Sequence, residues 1–238
     1  MTEFLEYNIT LNLPNQLPER QLIANTINPH SYCVAKEDEV FNQALLTSDI
    51  LVPDGVGVVW ATKLLYNRKI AKISGFDLHL HFLELLQKNG GGRVFYLGSS
   101  PTTLFLIRAR IEREYPKVKV GIWSPPFKEE FTVEDNQEMI SKVNSFQPDV
   151  LFVGMTAPKQ EKWVHYNKAG LDSKVICSIG AVFDFYAGTV KRPNEFWIKL
   201  GLEWLPRFLK EPRRLWRRNL ISTPKFVLEM IRIKNNLF

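Results

Sequence analysis

Short apolar, β-branched runs alternate along this chain with segments whose apolar residues recur every three to four positions. The runs at 21–25, 50–52, 93–97, 117–122, 150–153 and 175–179 predict strands. The periodic segments at 38–46, 58–66, 77–87, 102–114, 133–145 and 159–167 predict helices. Strands separated by helices of about 10–15 residues imply right-handed crossovers and a mostly parallel sheet. The strand runs are almost continuously apolar, as expected where helices cover both faces. The predicted fold class is α/β: a Rossmann-like, mostly parallel sheet with helices on both faces.

Three breaks fall where strands should hand over to the next element: Gly98-Ser99-Ser100-Pro101, Gly154-Met155-Thr156-Ala157-Pro158 and Gly180-Ala181. The first two precede a predicted helix. Together they suggest a nucleotide crevice at the carboxyl edge of the sheet, where open α/β sheets bind ligands. Neither the Gly-x-Gly-x-x-Gly fingerprint nor a Walker loop occurs. Asn89-Gly90-Gly91-Gly92 precedes a strand instead of following one, so it is expected to end a helix.

The pattern changes near residue 195. Trp197, Trp204 and Trp216 are interleaved with Lys199, Arg207, Lys210, Arg213, Arg214, Arg217 and Arg218. Helices are predicted at 195–202, 205–210 and 212–220, with a last one from Pro224; Pro206, Pro212 and Pro224 suit helix starts. The expected organisation is a core over 1–194 and a basic, Trp-rich helical appendage over 195–238.

Charge sharpens that division. The chain of 238 residues carries a net +6. From Lys199 onward ten Lys or Arg against three Glu give +7, leaving −1 on the preceding 198 residues. A near-neutral globule with a basic tail points to an acidic surface or partner. Cys33 and Cys177 lie in apolar stretches and read as buried free thiols of a reducing compartment. His30, His79, His81 and His165 lack metal-ligand companions, so no metal site is expected. The first twelve residues, with Glu3 and Glu6, do not read as a signal peptide, and no window offers the ~18 apolar residues that span a bilayer. The chain is expected on the cytoplasmic side.

The candidate chemistry starts at Asp54. It ends the run Asp49-Ile50-Leu51-Val52-Pro53 and opens Asp54-Gly55-Val56-Gly57, before Val58-Val59-Trp60-Ala61. A carboxylate between a strand end and a glycine loop can act as a general base or ligand hook, or cap the helix. Thr26-Ile27-Asn28-Pro29 follows the first strand; its side chains can bond sugar hydroxyls or close a turn. Pro158-Lys159-Gln160-Glu161 is expected to open a helix whose N-terminus suits phosphate, or to be a solvated helix start. In Gly75-Phe76-Asp77 the carboxylate reads as an N-cap, and the preceding Lys72 can pair with a diphosphate or face solvent. Asp184 sits between aromatics in Val182-Phe183-Asp184-Phe185-Tyr186 and needs a partner: Lys191, Arg192 or a ligand. No Asp-x-Asp pair occurs.

In combination and order these blocks resemble the WecG/TagA/CpsF family of bacterial glycosyltransferases. The residues are Thr26-x-Asn28, Pro53-Asp54-Gly55-Val56-Gly57-Val58-Val59-Trp60, Gly75-x-Asp77-Leu78, Phe95-Tyr96-Leu97-Gly98, Phe152-Val153-Gly154, Ala157-Pro158-Lys159-Gln160-Glu161-Lys162-Trp163 and Gly180-Ala181-Val182-Phe183-Asp184-Phe185. Gly201-Leu202-Glu203-Trp204-Leu205 and Glu211-Pro212-Arg213-Arg214-Leu215-Trp216-Arg217-Arg218 complete the series.

The resemblance implies an inverting, metal-independent hexosyltransferase with no cofactor. It would move N-acetylmannosamine or its uronic acid from a UDP-sugar to a sugar carried on polyprenyl diphosphate, in teichoic acid or other cell-surface polysaccharide synthesis. It implies a peripheral enzyme on the cytoplasmic face of the plasma membrane, with a homo-oligomer left open. Asp54 would be the base, Thr26, Asn28 and Lys72 the acceptor side, and Gly98, Gly154, Lys159, Gln160, Gly180 and Asp184 the donor side. Arg213, Arg214, Arg217 and Arg218 would meet the membrane or a diphosphate. Lys72 stands where the family often has Arg, and keeps the charge without the bidentate fork; His30 replaces a more typical acidic residue. The alternatives are a glucosyltransferase of exopolysaccharide assembly, a nucleotide-sugar epimerase, and a Rossmann-like module gripping nucleic acid with its tail.

Overall fold

The computed structural model describes residues 1–191, 193–194, 196–197 and 204–236, without the side chains of Arg207, Lys210 and Arg214. The chain opens with a hairpin, β1 (Thr2–Phe4) and β2 (Tyr7–Ile9), that sequence patterning does not signal. Then come β3 (Leu22–Ile27), α1 (Pro29–Ala35), α2 (Glu39–Leu46), β4 (Ile50–Pro53), α3 (Val56–Tyr66), α4 (Gly75–Lys88) and β5 (Gly92–Gly98). They continue as α5 (Pro101–Glu114), β6 (Val118–Trp123), α6 (Val133–Phe146), β7 (Val150–Gly154), α7 (Lys159–Asn167), β8 (Val175–Ser178) and α8 (Val182–Ala187). The tail forms α9 (Trp204–Lys210), α10 (Pro212–Trp216), a π turn (Arg217–Ser222) and α11 (Thr223–Asn236).

The six expected strands form one parallel sheet in the order β4-β3-β8-β7-β5-β6. Alternate strand residues feed opposite faces. Ile50, Val52, Phe152 and Cys177 pack under α4, α5 and α8 through Leu78, Phe82, Ile107 and Phe183. On the other face Leu151, Val153 and Ile176 pack with Met139 of α6 and Trp163 of α7. Ile27 and Leu51 share that face with Tyr32, Phe41, Val58, Phe226 and Met230. This is the expected doubly covered α/β sheet. The strand order reverses between β7 and β5: β7 leads one way to β8 and β5 the other way to β6, the kind of reversal at which open α/β sheets bind ligands.

Several local expectations change. β3 runs on through Ile27, so Thr26 is a strand residue and not part of a loop. Asn28 caps α1, a helix that the sequence pattern does not predict. Asp77 is not the N-cap of α4: Ser74 is, and Asp77 closes the capping box by accepting from the Ser74 backbone N–H at 2.8 Å. Gly180-Ala181 does precede a helix, the six-residue α8. Asn89 and Gly90 end α4 as expected, Gly90 with φ 91°. The helix expected at 212–220 breaks after Trp216 into the π turn, and the one expected at 195–202 lies outside the described residues apart from 196–197. α11 packs on α1 and α3, with Phe226 and Met230 fully buried. Among the described residues no helix is long and apolar enough to cross a membrane.

Candidate active site at the carboxyl edge of the sheet

The register of β3 and β4 brings together residues expected on the acceptor side. Thr26 lies opposite Val52 and Ile27 opposite Pro53, and the Asp54 backbone N–H donates to the Ile27 carbonyl at 2.9 Å. Asp54 therefore sits beside the turn that carries Asn28. Gly57, the second residue of α3, lies against Pro29 so closely that a Cβ would fall 2.3 Å from the proline Cγ. Any larger residue would push α3 and its Asp54 loop away from α1.

Asn28 Oδ1 accepts from the backbone N–H groups of His30 at 3.0 Å and Ser31 at 3.1 Å, and the side-chain amide nitrogen is its remaining donor. The segment bearing Lys72 is tied in by Ile73, whose N–H donates to the Pro53 carbonyl at 3.1 Å. The start of α4 approaches the same mouth: a Cβ on Gly75 would lie 3.7 Å from Thr26 Cγ2 and 3.3 Å from Val182 Cγ2. Thr26, Asn28, Asp54 and the 72–75 segment thus converge from β3, β4 and α4.

Of the residues expected on the donor side, Gly98 and Gly154 meet at the reversal of the sheet. Gly98 is paired with Gly154, and a Cβ on Gly98 would lie 2.3 Å from the Gly154 carbonyl oxygen. Only a residue without a side chain allows that approach, and Ser99 then donates its N–H to the Gly154 carbonyl at 3.0 Å. Gly180 enters through Gln160, whose Oε1 accepts from Gly180 N–H at 3.0 Å and from Met155 N–H at 3.1 Å. The Gln160 side chain is buried and engaged with these loops. Lys159 is directed elsewhere: its Nζ donates to the Lys128 carbonyl and lies 3.6 Å from the centre of the Phe131 ring, where burial lowers its pKa. Asp184, in the first turn of α8, meets the Thr189 hydroxyl at 3.5 Å; of the two expected cations, Arg192 lies outside the described residues.

β4 and β7 are three strands apart, about 14 Å at ~4.8 Å per strand. An elongated substrate is needed to reach from Asp54 to the glycines of the reversal. The tail reaches the Asp54 end. Ser222, closing the π turn, bonds His30 Nδ1 through its hydroxyl at 2.9 Å and accepts from Cys33 Sγ at 3.3 Å through its carbonyl. Burial, with Arg218 nearby, lowers the His30 pKa. Arg213 and Arg217 are exposed, Arg217 near the Trp216 ring at 5.5 Å, and Arg218 is half-buried.

The sequence gives no sign that Glu161 is buried beside these loops. An acid in the first turn of a helix ordinarily faces water, yet Glu161 is 3 % exposed. Desolvation pushes its carboxyl up to about 7. Because the folded value lies above the ordinary 4.5, the fold binds this proton more tightly than the unfolded chain does. The stability tied to Glu161 is therefore fully present below about pH 4.5 and lost as pH rises towards 7. Glu161→Gln is expected to raise Tm at pH 8, with the gain shrinking towards pH 4.5, as thermal scans across that range would register. A gain independent of pH would contradict the assigned shift.

The chain is similar to known proteins along most of its length. Residues 8–237 match the model of the glycosyl transferase WecG/TagA/CpsF family. A Bacillus subtilis (strain 168) protein is 31 % identical over 214 residues, covering 90 % of this chain and 80 % of its own. A Bacillus spizizenii protein is 30 % identical, covering 87 % of this chain and 77 % of its own. A Staphylococcus aureus (strain MW2) protein is 26 % identical over 97 % of this chain and 87 % of its own. All three are named N-acetylglucosaminyldiphosphoundecaprenol N-acetyl-beta-D-mannosaminyltransferase.

Proposed function

The chain belongs to the WecG/TagA/CpsF family of glycosyl transferases, and on that premise we propose that it transfers N-acetylmannosamine from a UDP-sugar to N-acetylglucosamine on polyprenyl diphosphate, with inversion and without a metal. The observation that carries this reading is the place of Asp54 at the end of β4, next to the turn bearing Asn28, where its backbone N–H bonds Ile27. The names of the relatives favour N-acetylmannosamine over glucose as the sugar moved. Membership of a transferase family favours an enzyme over a nucleic-acid-binding module.

A sugar hydroxyl is a poor nucleophile until its proton is taken, and a base in hydrogen-bond reach does so as the new bond forms. In this mechanism Asp54 accepts that proton while the oxygen attacks the anomeric carbon from the face opposite UDP. One displacement of this kind inverts the anomeric centre. Asn28 and Thr26 orient the acceptor. The departing diphosphate lies towards the glycines of the reversal, where the positive end of α7 favours negative charge. The Met155 and Gly180 N–H groups already bond Gln160, so at that end the dipole of α7 is what remains for the leaving group.

The sequence has no Asp-x-Asp pair to hold a metal on the diphosphate. Transfer is accordingly expected to survive EDTA with little change in initial rate. Loss on chelation and recovery with Mg²⁺ or Mn²⁺ would contradict the leaving-group assignment.

The exposed arginines, with Trp216, suit an anionic bilayer at the cytoplasmic face, where each surface cation contributes about 1 kcal/mol. Such a peripheral placement brings the enzyme to a lipid-borne acceptor.

A further inference from the structure

We propose that Glu161 is a positioning residue: its carboxyl orients the Gln160 amide, which clamps the loop after β7 to the loop after β8. Gln160 and Glu161 are 5 % and 3 % exposed, so neither bonds freely to water. The amide has only one orientation that satisfies its neighbours. Met155 and Gly180 each present a backbone N–H, at 3.1 and 3.0 Å, and only the amide oxygen can accept both. The amide nitrogen then faces Glu161 Oε1 at 2.8 Å and needs an acceptor there. With an apolar side chain at 161, that buried nitrogen would lose its bond, and the amide its reason to stay in register.

The geometry also explains an otherwise costly feature. Glu161 Oε2 is buried without a partner, a penalty that Leu or Met at the same place would avoid. A residue serving only to fill space has no need of the carboxyl. The clamp joins the ends of neighbouring strands: Val153 pairs with Ser178, and Met155 and Gly180 each lie two residues further on. Ile179 N–H donates to the Val153 carbonyl at 3.0 Å; beyond that bond, the Gln160 amide links the two loops. The expected effect on the donor rests on the proposed function, in which these loops face the UDP-sugar; the clamp itself does not.

Amide hydrogen exchange reads the clamp without any substrate. Glu161→Gln keeps an acceptor oxygen for Gln160, so exchange at Met155 and Gly180 is expected to stay at the wild-type rate. Glu161→Leu is expected to speed exchange at both sites by about tenfold or more while Phe152 in the core stays protected. Gln160→Leu should reproduce that loss, and adding Glu161→Leu to it should change nothing further. Glu161→Met is read against the same outcomes should Glu161→Leu not fold. Wild-type exchange in the apolar variants, or equally fast exchange in Glu161→Gln, overturns the proposal. In transfer assays the apolar variants should raise donor KM more than they lower kcat, with Glu161→Gln restoring both. Loosened loops with unchanged donor kinetics would uphold the clamp and instead refute the placing of UDP-sugar against these loops.

Discussion

Asp54→Asn is expected to lower kcat for sugar transfer by about 10²–10⁴-fold, the range associated with a positioned general base. Tm and UDP affinity should stay close to wild type. The substitution keeps the shape of the side chain and removes its capacity to take a proton. The main chain of residue 54 is held through the 2.9 Å bond from its N–H to Ile27, which does not depend on the side chain. Asp54→Ala should be as inactive, which separates proton transfer from mere polarity. Steady-state kinetics beside UDP calorimetry and a melting curve distinguish the outcomes. Turnover within a few-fold of wild type would reject Asp54 as the base. A large fall in Tm would make its role structural.

Deleting residues 199–238 is expected to unfold the protein rather than merely release it from a membrane. Phe226 and Met230 are completely buried, and the Phe226 ring meets Tyr32 at 5.3 Å and Phe4 at 6.2 Å between centroids. Glu229 adds a bond from the Tyr32 hydroxyl and an ion pair with Lys36. Phe226→Ala alone should cost about 3–5 kcal/mol. At about 2–4 °C per kcal/mol for a chain of this size, Tm should fall on the order of 10 °C. A melting curve within two or three degrees of wild type, ~1 kcal/mol or less, would show that α11 contributes little. Membrane binding therefore needs a gentler probe than truncation. Arg213→Glu with Arg217→Glu alters two exposed side chains. It should weaken binding to anionic liposomes without moving Tm, as should high salt with the wild type.

The parallel sheet was legible because continuous apolar runs and periodic helices are strong signals. The ends of β3 and the existence of α1 were not. Thr26 and Asn28 were read as loop residues, yet strand pairing carries β3 to Ile27 and Asn28 turns at once into a helix. The first hairpin turns at Leu5, with φ 54°, where no Gly or Asn announces it. Asp54 was legible from its own neighbourhood, since a strand end and a glycine loop adjoin in sequence. Lys159 was not: its partners, Lys128 and Phe131, lie some thirty residues away. Nor was the burial of Glu161, because α7 is covered on that side by elements the local pattern does not reveal. The tail showed charge and tryptophan in its sequence, but only packing shows Ser222 against His30 and Phe226 in the core.

The central claim is tested most directly by incubating the purified chain with UDP-N-acetylmannosamine and a polyprenyl-diphosphate-linked N-acetylglucosamine, and weighing the lipid product by mass spectrometry. The account predicts a lipid heavier by one N-acetylhexosamine residue, formed by the wild type and not by Asp54→Asn. An acceptor lipid of unchanged mass, or the same product formed equally well by Asp54→Asn, would contradict it.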